Sequence, residues 1–164
     1  MLYSGNIFVQ PGAKVALIDC GQVKQISTEY RLRLAEAILL VNEWTETGGS
    51  PELIRLAQIK MADFGVTFAE DAKPEAAAAL ALLLFADPDV PMPGGFSSAE
   101  LSDTSPIKAI SSFPQELVLL GRATILIKGI AKRLGIKWSL ADKWKAMAEQ
   151  ALEYAGSIKQ RRCQ

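Results

Sequence analysis

Residues 7–18 read Ile7-Phe8-Val9-Gln10-Pro11-Gly12-Ala13-Lys14-Val15-Ala16-Leu17-Ile18, and this stretch decides how the chain begins to fold. Its two ends are short runs of β-branched and aromatic residues, which favour strands. Proline and glycine lie between the runs, where a tight turn needs them. The stretch therefore predicts a β-hairpin, which spans 6–19 when the polar residue at each end is included.

Downstream of the hairpin the apolar residues recur every three or four positions, which is the period of an amphipathic helix. Ser27 or Thr28 is the expected N-cap of the first helix, and Gly48-Gly49 ends it. Four more helices are predicted over approximately 50–63, 73–87, 113–135 and 139–154. The predicted fold class is mainly α, with one N-terminal β-hairpin followed by about five helices.

The domain prediction is a single domain over 1–164, with a helical region at 27–157 and the hairpin as the only source of strands. A proline-, glycine- and serine-rich stretch at 87–106 predicts a long loop. The helix over 113–135 is apolar on more than one face, so packing on several sides is expected. Gly121 and Gly129 within it predict close approach of another element.

Composition excludes several classes of function. The 164 residues carry 18 Lys plus Arg and 18 Asp plus Glu, so no overall field attracts a nucleic acid. The chain has no histidine, which excludes Ser-His, Cys-His and His-metal chemistry built from this chain alone. Cys20 and Cys163 do not suggest a disulfide framework, and a reducing compartment fits. The most apolar run, 76–86, is too short to cross a bilayer, and no signal peptide precedes the hairpin, so a soluble chain without a transmembrane segment is predicted.

The polar residues at the two ends of the hairpin are the strongest candidates for chemistry. Asn6 precedes the first strand and Asp19 follows the second, 13 residues later. A tight antiparallel hairpin brings its outer ends side by side, so the two oxygen donors can converge on Mg²⁺, as the paired Asn and Asp of protein kinases do. Turn chemistry alone also explains an asparagine before a strand and an Asp-Cys-Gly turn after one.

The same residues resemble a known family. The segments Gly5-Asn6-Ile7-Phe8-Val9 and Val15-Ala16-Leu17-Ile18-Asp19-Cys20-Gly21-Gln22 are similar to those of the UbiB and aarF-domain atypical kinases, in which a Pro-Gly-Asn strand precedes a Leu-Ile-Asp-Phe-Gly-like segment. Two downstream segments, 114–123 and 129–135, look like the C-terminal helices of that family. The resemblance covers most of the chain, and the hairpin is its most specific part.

The resemblance implies a kinase-like C-terminal lobe that binds Mg²⁺ and ATP in the complete protein. It implies Asn6 and Asp19 as the metal ligands, with Gly21 also in the cofactor site. It further implies a link to quinone or lipid metabolism, with a partner from that metabolism, and a mitochondrial or plastid location in eukaryotes or a cytoplasmic, membrane-associated one otherwise. Kinase and ATPase activities both remain open.

Three departures from the family pattern limit the predicted activity. Met1 stands where the catalytic Asp of the family's His-x-Asp segment is expected, five positions before Asn6. The chain also has no phosphate-binding lysine, no Lys-x-Gly-Gln motif and no N-terminal lobe. The sequence is therefore interpreted as incomplete, and the missing lobe is an expected partner. With no catalytic residue of its own, the chain is expected to be inactive in isolation. Cys20 replaces the phenylalanine of the triplet, which leaves a redox role open.

A second Asp-Phe-Gly triplet, at 63–65, is predicted to be a helix terminus, because it follows a helical stretch and not a strand. A missing lobe also predicts uncovered apolar surface near the hairpin. The competing interpretation of the whole chain is a non-catalytic helical module that binds a protein or a lipid, with the hairpin as a structural cap.

Overall fold

The computed structural model describes residues 7–17, 24–99 and 102–162. Its elements, in chain order, are β1 (Ile7–Gln10), β2 (Lys14–Leu17), α1 (Thr28–Thr47), α2 (Pro51–Asp63), β3 (Thr67–Phe68), α3 (Ala76–Phe85), β4 (Ile110–Ser112), α4 (Gln115–Arg133) and α5 (Leu140–Arg162). The fold is mainly helical, with five α-helices in the described ranges and an N-terminal hairpin. The fold-class prediction is confirmed at this level.

The hairpin forms where the sequence places it. β1 and β2 are antiparallel, with Ile7 opposite Leu17 and Gln10 opposite Lys14. Gly12 in the turn has a φ of 78°, a left-handed conformation that glycine adopts at no steric cost.

The first two helices begin and end at the predicted residues. The Ser27 hydroxyl accepts from the Tyr30 N–H at 3.1 Å, and the Ser50 hydroxyl accepts from the Leu53 N–H at 3.2 Å. Gly48 ends α1 with a φ of 82°. These caps satisfy backbone groups that a helix leaves without partners.

Helix α3 is the centre of the molecule. All ten of its residues are buried, and it packs against α1, α2 and α4. Its sequence, Ala76-Ala77-Ala78-Ala79-Leu80-Ala81-Leu82-Leu83-Leu84-Phe85, explains this position. Four small side chains let neighbouring elements approach the first turns, and the larger ones fill the space around the last turns.

A second small sheet corrects the prediction that only the hairpin supplies strands. β3 pairs antiparallel with β4, and the Ala69 N–H donates to the Ala109 carbonyl at 2.9 Å beside them. These strands have two and three residues, too short for a period-two pattern to be recognised in the sequence. The sheet ties the segment after α2 to the segment before α4.

The predicted 87–106 loop is largely irregular in its described part, but it is not structureless. A 3₁₀ turn spans Pro93–Gly95, and a second, Pro106–Ala109, begins at the end of the loop. The Lys73 ammonium donates to the Gly94 carbonyl at 2.8 Å, which fastens the loop to the segment before α3.

Helix α4 overturns the prediction of packing on several sides. The buried stripe is Leu117, Gly121, Thr124, Lys128 and Ala131, whereas Leu126, Ile127 and Ile130 are exposed. A Cβ at Gly121 would lie 3.0 Å from Leu84 Cδ2, so the predicted close approach is confirmed there. It is wrong at Gly129, where an added Cβ would meet no atom of another element within 4 Å. The small residues face the core because they let α4 approach α3.

Helix α5 packs along α1 and extends to Arg162, beyond the predicted end of the helical region at 157. The Asp142 N–H donates to the Ser139 hydroxyl at 3.2 Å, which caps the start of α5. Between the helices, the buried Asn42 amide donates to the Ala141 carbonyl at 3.0 Å and to the Ile38 carbonyl at 2.9 Å.

Candidate functional site

The predicted magnesium site lies at the edge of what the structure describes. Asn6, Asp19 and Gly21 all fall outside the described residues, as does Cys20. The structure therefore neither brings these side chains together nor separates them. What it describes is the ladder between them, which ends with Ile7 paired to Leu17.

The hairpin presents apolar side chains to solvent. Phe8 is 50% exposed, Val15 62% and Val9 81%. Side chains of this kind are normally covered when they form a cluster. The uncovered apolar surface predicted near the hairpin is present.

The Asp63-Phe64-Gly65 triplet is a helix terminus, as predicted. Gly65 has a φ of 89°, and its N–H donates to the Ala62 carbonyl at 2.8 Å while the Val66 N–H donates to the Met61 carbonyl at 3.0 Å. This pair of bonds is the Schellman arrangement that closes α2. Phe64 is buried, with its ring edge-on to Tyr30 at 5.0 Å between centroids, so its role is structural.

A buried polar cluster gathers at the C-terminal end of α3. Lys128 Nζ donates to the Leu83 carbonyl at 2.7 Å, and the Ser139 hydroxyl donates to the Phe85 carbonyl at 3.3 Å. Just beyond the helix, Asp87 Oδ2 accepts from the Trp138 N–H at 2.9 Å. These three contacts connect the end of α3 to α4 and to the start of α5, and the first two satisfy carbonyls that a helix end leaves free.

Lys128 is the basic residue of this cluster, and its pKa is shifted. Burial lowers the pKa of its ammonium from 10.5 to about 8, and the nearby Asp87 carboxylate opposes that shift. The residue was not predicted, because a lysine on a helix is normally read as solvent-exposed. The available signal was its spacing: it lies seven residues after Gly121 and four after Thr124, on the stripe of small residues that faces α3.

An apolar groove lies between α3, α4 and the segment leading into β4. Its volume is 430 Å³, and nine of its twelve lining residues carry aliphatic or aromatic side chains. Among the lining residues that the structure describes, Arg122 is the only charged one, and Ser111 contributes the only hydroxyl. Sequence analysis did not anticipate this groove, because it depends on which face α4 turns toward α3.

Within 7–17, 24–99 and 102–162, no group of three or more acidic, histidine or cysteine side chains is placed to hold a metal ion. No helix in the same ranges combines the length and the hydrophobicity needed to span a bilayer.

Comparison with known proteins finds no match to any protein-family model, any curated protein or any solved structure. The kinase interpretation thus stands on the sequence motifs together with the hairpin.

Proposed function

We propose that this chain is the C-terminal part of a UbiB-type atypical kinase or ATPase, which binds Mg²⁺ and ATP in its complete form. The observation that carries the proposal is the antiparallel hairpin between Asn6 and Asp19, with Ile7 opposite Leu17. In such a ladder the residue before the first strand and the residues after the second leave the hairpin at the same end. That topology suits a cation held by both segments.

The donor chemistry also fits a magnesium ion. An amide oxygen and a carboxylate oxygen are hard donors, and Mg²⁺ typically takes one or two protein ligands and completes its shell with phosphates and water. Asn6 and Asp19 would hold the ion, with Gly21 beside the nucleotide. The ion would supply charge neutralisation for the nucleotide phosphates.

The exposed side chains of the hairpin support the same proposal. Val9 and Val15, which are paired across the hairpin on one face, form an apolar surface that a nucleotide-binding N-terminal lobe would cover, and Phe8 is exposed on the other face. Without that lobe's phosphate-binding lysine, and without the catalytic Asp, the chain by itself does not transfer phosphate. The link to quinone or lipid metabolism, the partner from that metabolism, and the mitochondrial, plastid or membrane-associated location are part of the proposal and derive from the resemblance alone.

Paramagnetic Mn²⁺, a substitute for Mg²⁺, tests the metal site directly. Titrated into the ¹⁵N-labelled chain, it should broaden the amide signals of Ile7 and Leu17 first. Asp19→Asn should abolish that broadening. Asp63→Asn, which alters the other Asp-Phe-Gly triplet, is the matched control and should leave it unchanged. Broadening that is absent from the hairpin, or that survives in Asp19→Asn, would refute the proposed site.

Nucleotide binding provides a second measurement. A thermal shift with ATP and Mg²⁺ should be small or absent for this chain, because the sequence has no Lys-x-Gly-Gln motif to hold the nucleotide phosphates. Tight nucleotide binding would contradict the proposed division of the protein into two lobes.

The competing function is a non-catalytic helical module that binds a protein or a lipid. The observation that favours it is the row of exposed apolar residues on α4, which includes Leu126, Ile127 and Ile130. In this case the hairpin is a structural cap, and Mn²⁺ should broaden no signal in it selectively.

A further inference from the structure

The groove between α3 and α4 has the size and the walls of a small-molecule site. Its 430 Å³ falls within the roughly 300–1,000 Å³ that ligand pockets occupy. Three of its lining side chains, Leu80, Leu84 and Leu117, belong to the buried core, so the inner wall is fixed by packing. Ile107 and Val118 are exposed and lie at its mouth.

A second cavity lies next to the groove and is lined by residues of α3 and α4 and of the loop between them. This cavity has a volume of 280 Å³ and is lined in part by Leu83 and Ile125, which also line the groove. The second cavity also has Lys128 and Lys132 in its lining, so the apolar space available to a hydrocarbon chain is the groove itself.

The polar groups of the groove have one sign of charge. Arg122 is the only charged lining residue, and no carboxylate lies among the lining residues that the structure describes. The adjacent Lys108 is paired with Asp103 at 2.5 Å. Arg122 already has an interaction within the chain, but a guanidinium has five N–H donors and can serve more than one acceptor. The mouth of the groove is thus complementary to an anion.

We propose that this groove binds a free long-chain carboxylate, with the head group at Arg122 and Ser111 and the hydrocarbon chain between α3 and α4. The apolar walls remove the chain from water, and the guanidinium pairs with the carboxylate in a charge-assisted hydrogen bond. This site is separate from the hairpin and does not depend on the proposed kinase function.

Calorimetric titration with three twelve-carbon probes, each below its micelle concentration, tests the proposal. Dodecanoate should bind about tenfold more tightly than dodecanol, because only the carboxylate pairs with Arg122. Dodecyltrimethylammonium should bind more weakly than either. Equal affinities for the three probes, or no binding of dodecanoate, would overturn the proposal.

Two variants and one control locate the site. Arg122→Gln should reduce dodecanoate affinity to that of dodecanol and leave dodecanol binding unchanged. Ile125→Trp should weaken both probes by filling the shared wall. Arg133→Gln, an exposed substitution on the same helix that lines neither cavity, should change neither affinity. If Arg122→Gln and Arg133→Gln behave alike, the assigned head-group position is wrong.

A measurement on the unmodified chain guards against variants that fail to fold. Nuclear Overhauser contacts from ¹³C-labelled dodecanoate should reach the methyl groups of Leu80 and Leu84, and contacts confined to other methyl groups would refute the site.

Phosphatidylglycerol vesicles separate a free carboxylate from a membrane surface. Binding to vesicles without binding to dodecanoate would overturn the proposal in favour of a membrane.

Discussion

Replacing Lys128 by methionine should remove a specific dependence of stability on pH. The lysine is held at 8% exposure with its ammonium on the Leu83 carbonyl, and burial lowers its pKa to about 8. Its ordinary pKa is 10.5. Between these two values the unfolded chain binds the proton more tightly than the folded chain, so the free energy of unfolding rises as the pH rises.

The size of this effect follows from the two pKa values. As the pH rises through the whole interval between these two pKa values, the free energy of unfolding rises by about 3 kcal/mol, at 1.36 kcal/mol for each pKa unit. Over the accessible interval from about pH 7.5 to 9.5, the expected rise is about 2 kcal/mol. The absolute stability of Lys128→Met at neutral pH is less informative. Loss of the hydrogen bond to the Leu83 carbonyl lowers the free energy of unfolding, whereas removal of the buried charge raises it.

Urea unfolding followed by circular dichroism at pH 7.5, 8.5 and 9.5 measures the effect. The unmodified chain should gain stability across the series relative to Lys128→Met. Lys143→Met, which removes an exposed lysine on α5, should retain the gain. The series stops at pH 9.5 because burial also raises the pKa of Tyr30, which lowers stability above about pH 10. Equal pH profiles for Lys128→Met and the unmodified chain would refute the inferred burial of a charged ammonium.

Four further substitutions test the packing and the buried polar groups. Gly121→Val should lower the free energy of unfolding by about 2 kcal/mol, because its Cβ would press on Leu84. Gly129→Ala should raise the free energy of unfolding by up to about 1 kcal/mol. Equal effects of the two substitutions in urea unfolding would contradict the inferred contact. Asn42→Ala should cost about 2 kcal/mol by removing two buried amide hydrogen bonds, one of which joins α1 to the Ala141 carbonyl of α5, and a melting temperature unchanged from that of the parent chain would count against this. Tyr30→Phe should gain up to about 1 kcal/mol, because the tyrosine hydroxyl is buried without a hydrogen-bond partner among the described residues; a loss of stability in thermal denaturation would reveal a partner.

Local signals in the sequence predicted most element boundaries. Ser27, Ser50 and Gly48 act within one or two turns of where they stand, so their effects depend on short-range hydrogen bonds and backbone conformation. The same locality distinguished the Asp63-Phe64-Gly65 triplet from a metal-binding one, because a helical period precedes it.

Features that depend on distant partners were not predictable in the same way. The short strands β3 and β4 exist only because each meets the other across more than forty residues. The buried face of α4 was misjudged because large residues such as Ile127 and Ile130 suggested the core, whereas close approach to α3 selected the small ones. The proposed magnesium ligands remain a sequence prediction, since Asn6 and Asp19 lie outside the described residues.

The central position of α3 has a consequence for synthesis on the ribosome. The Leu83 and Phe85 carbonyls are satisfied by side chains that stand 45 and 54 positions later in the chain, so the helix leaves the exit tunnel well before its partners. Until α4 and α5 emerge, its leucines are open to any apolar surface in the cell. Translation speed over that interval, and the chaperones that meet the nascent chain, therefore influence how much of this protein reaches its folded state.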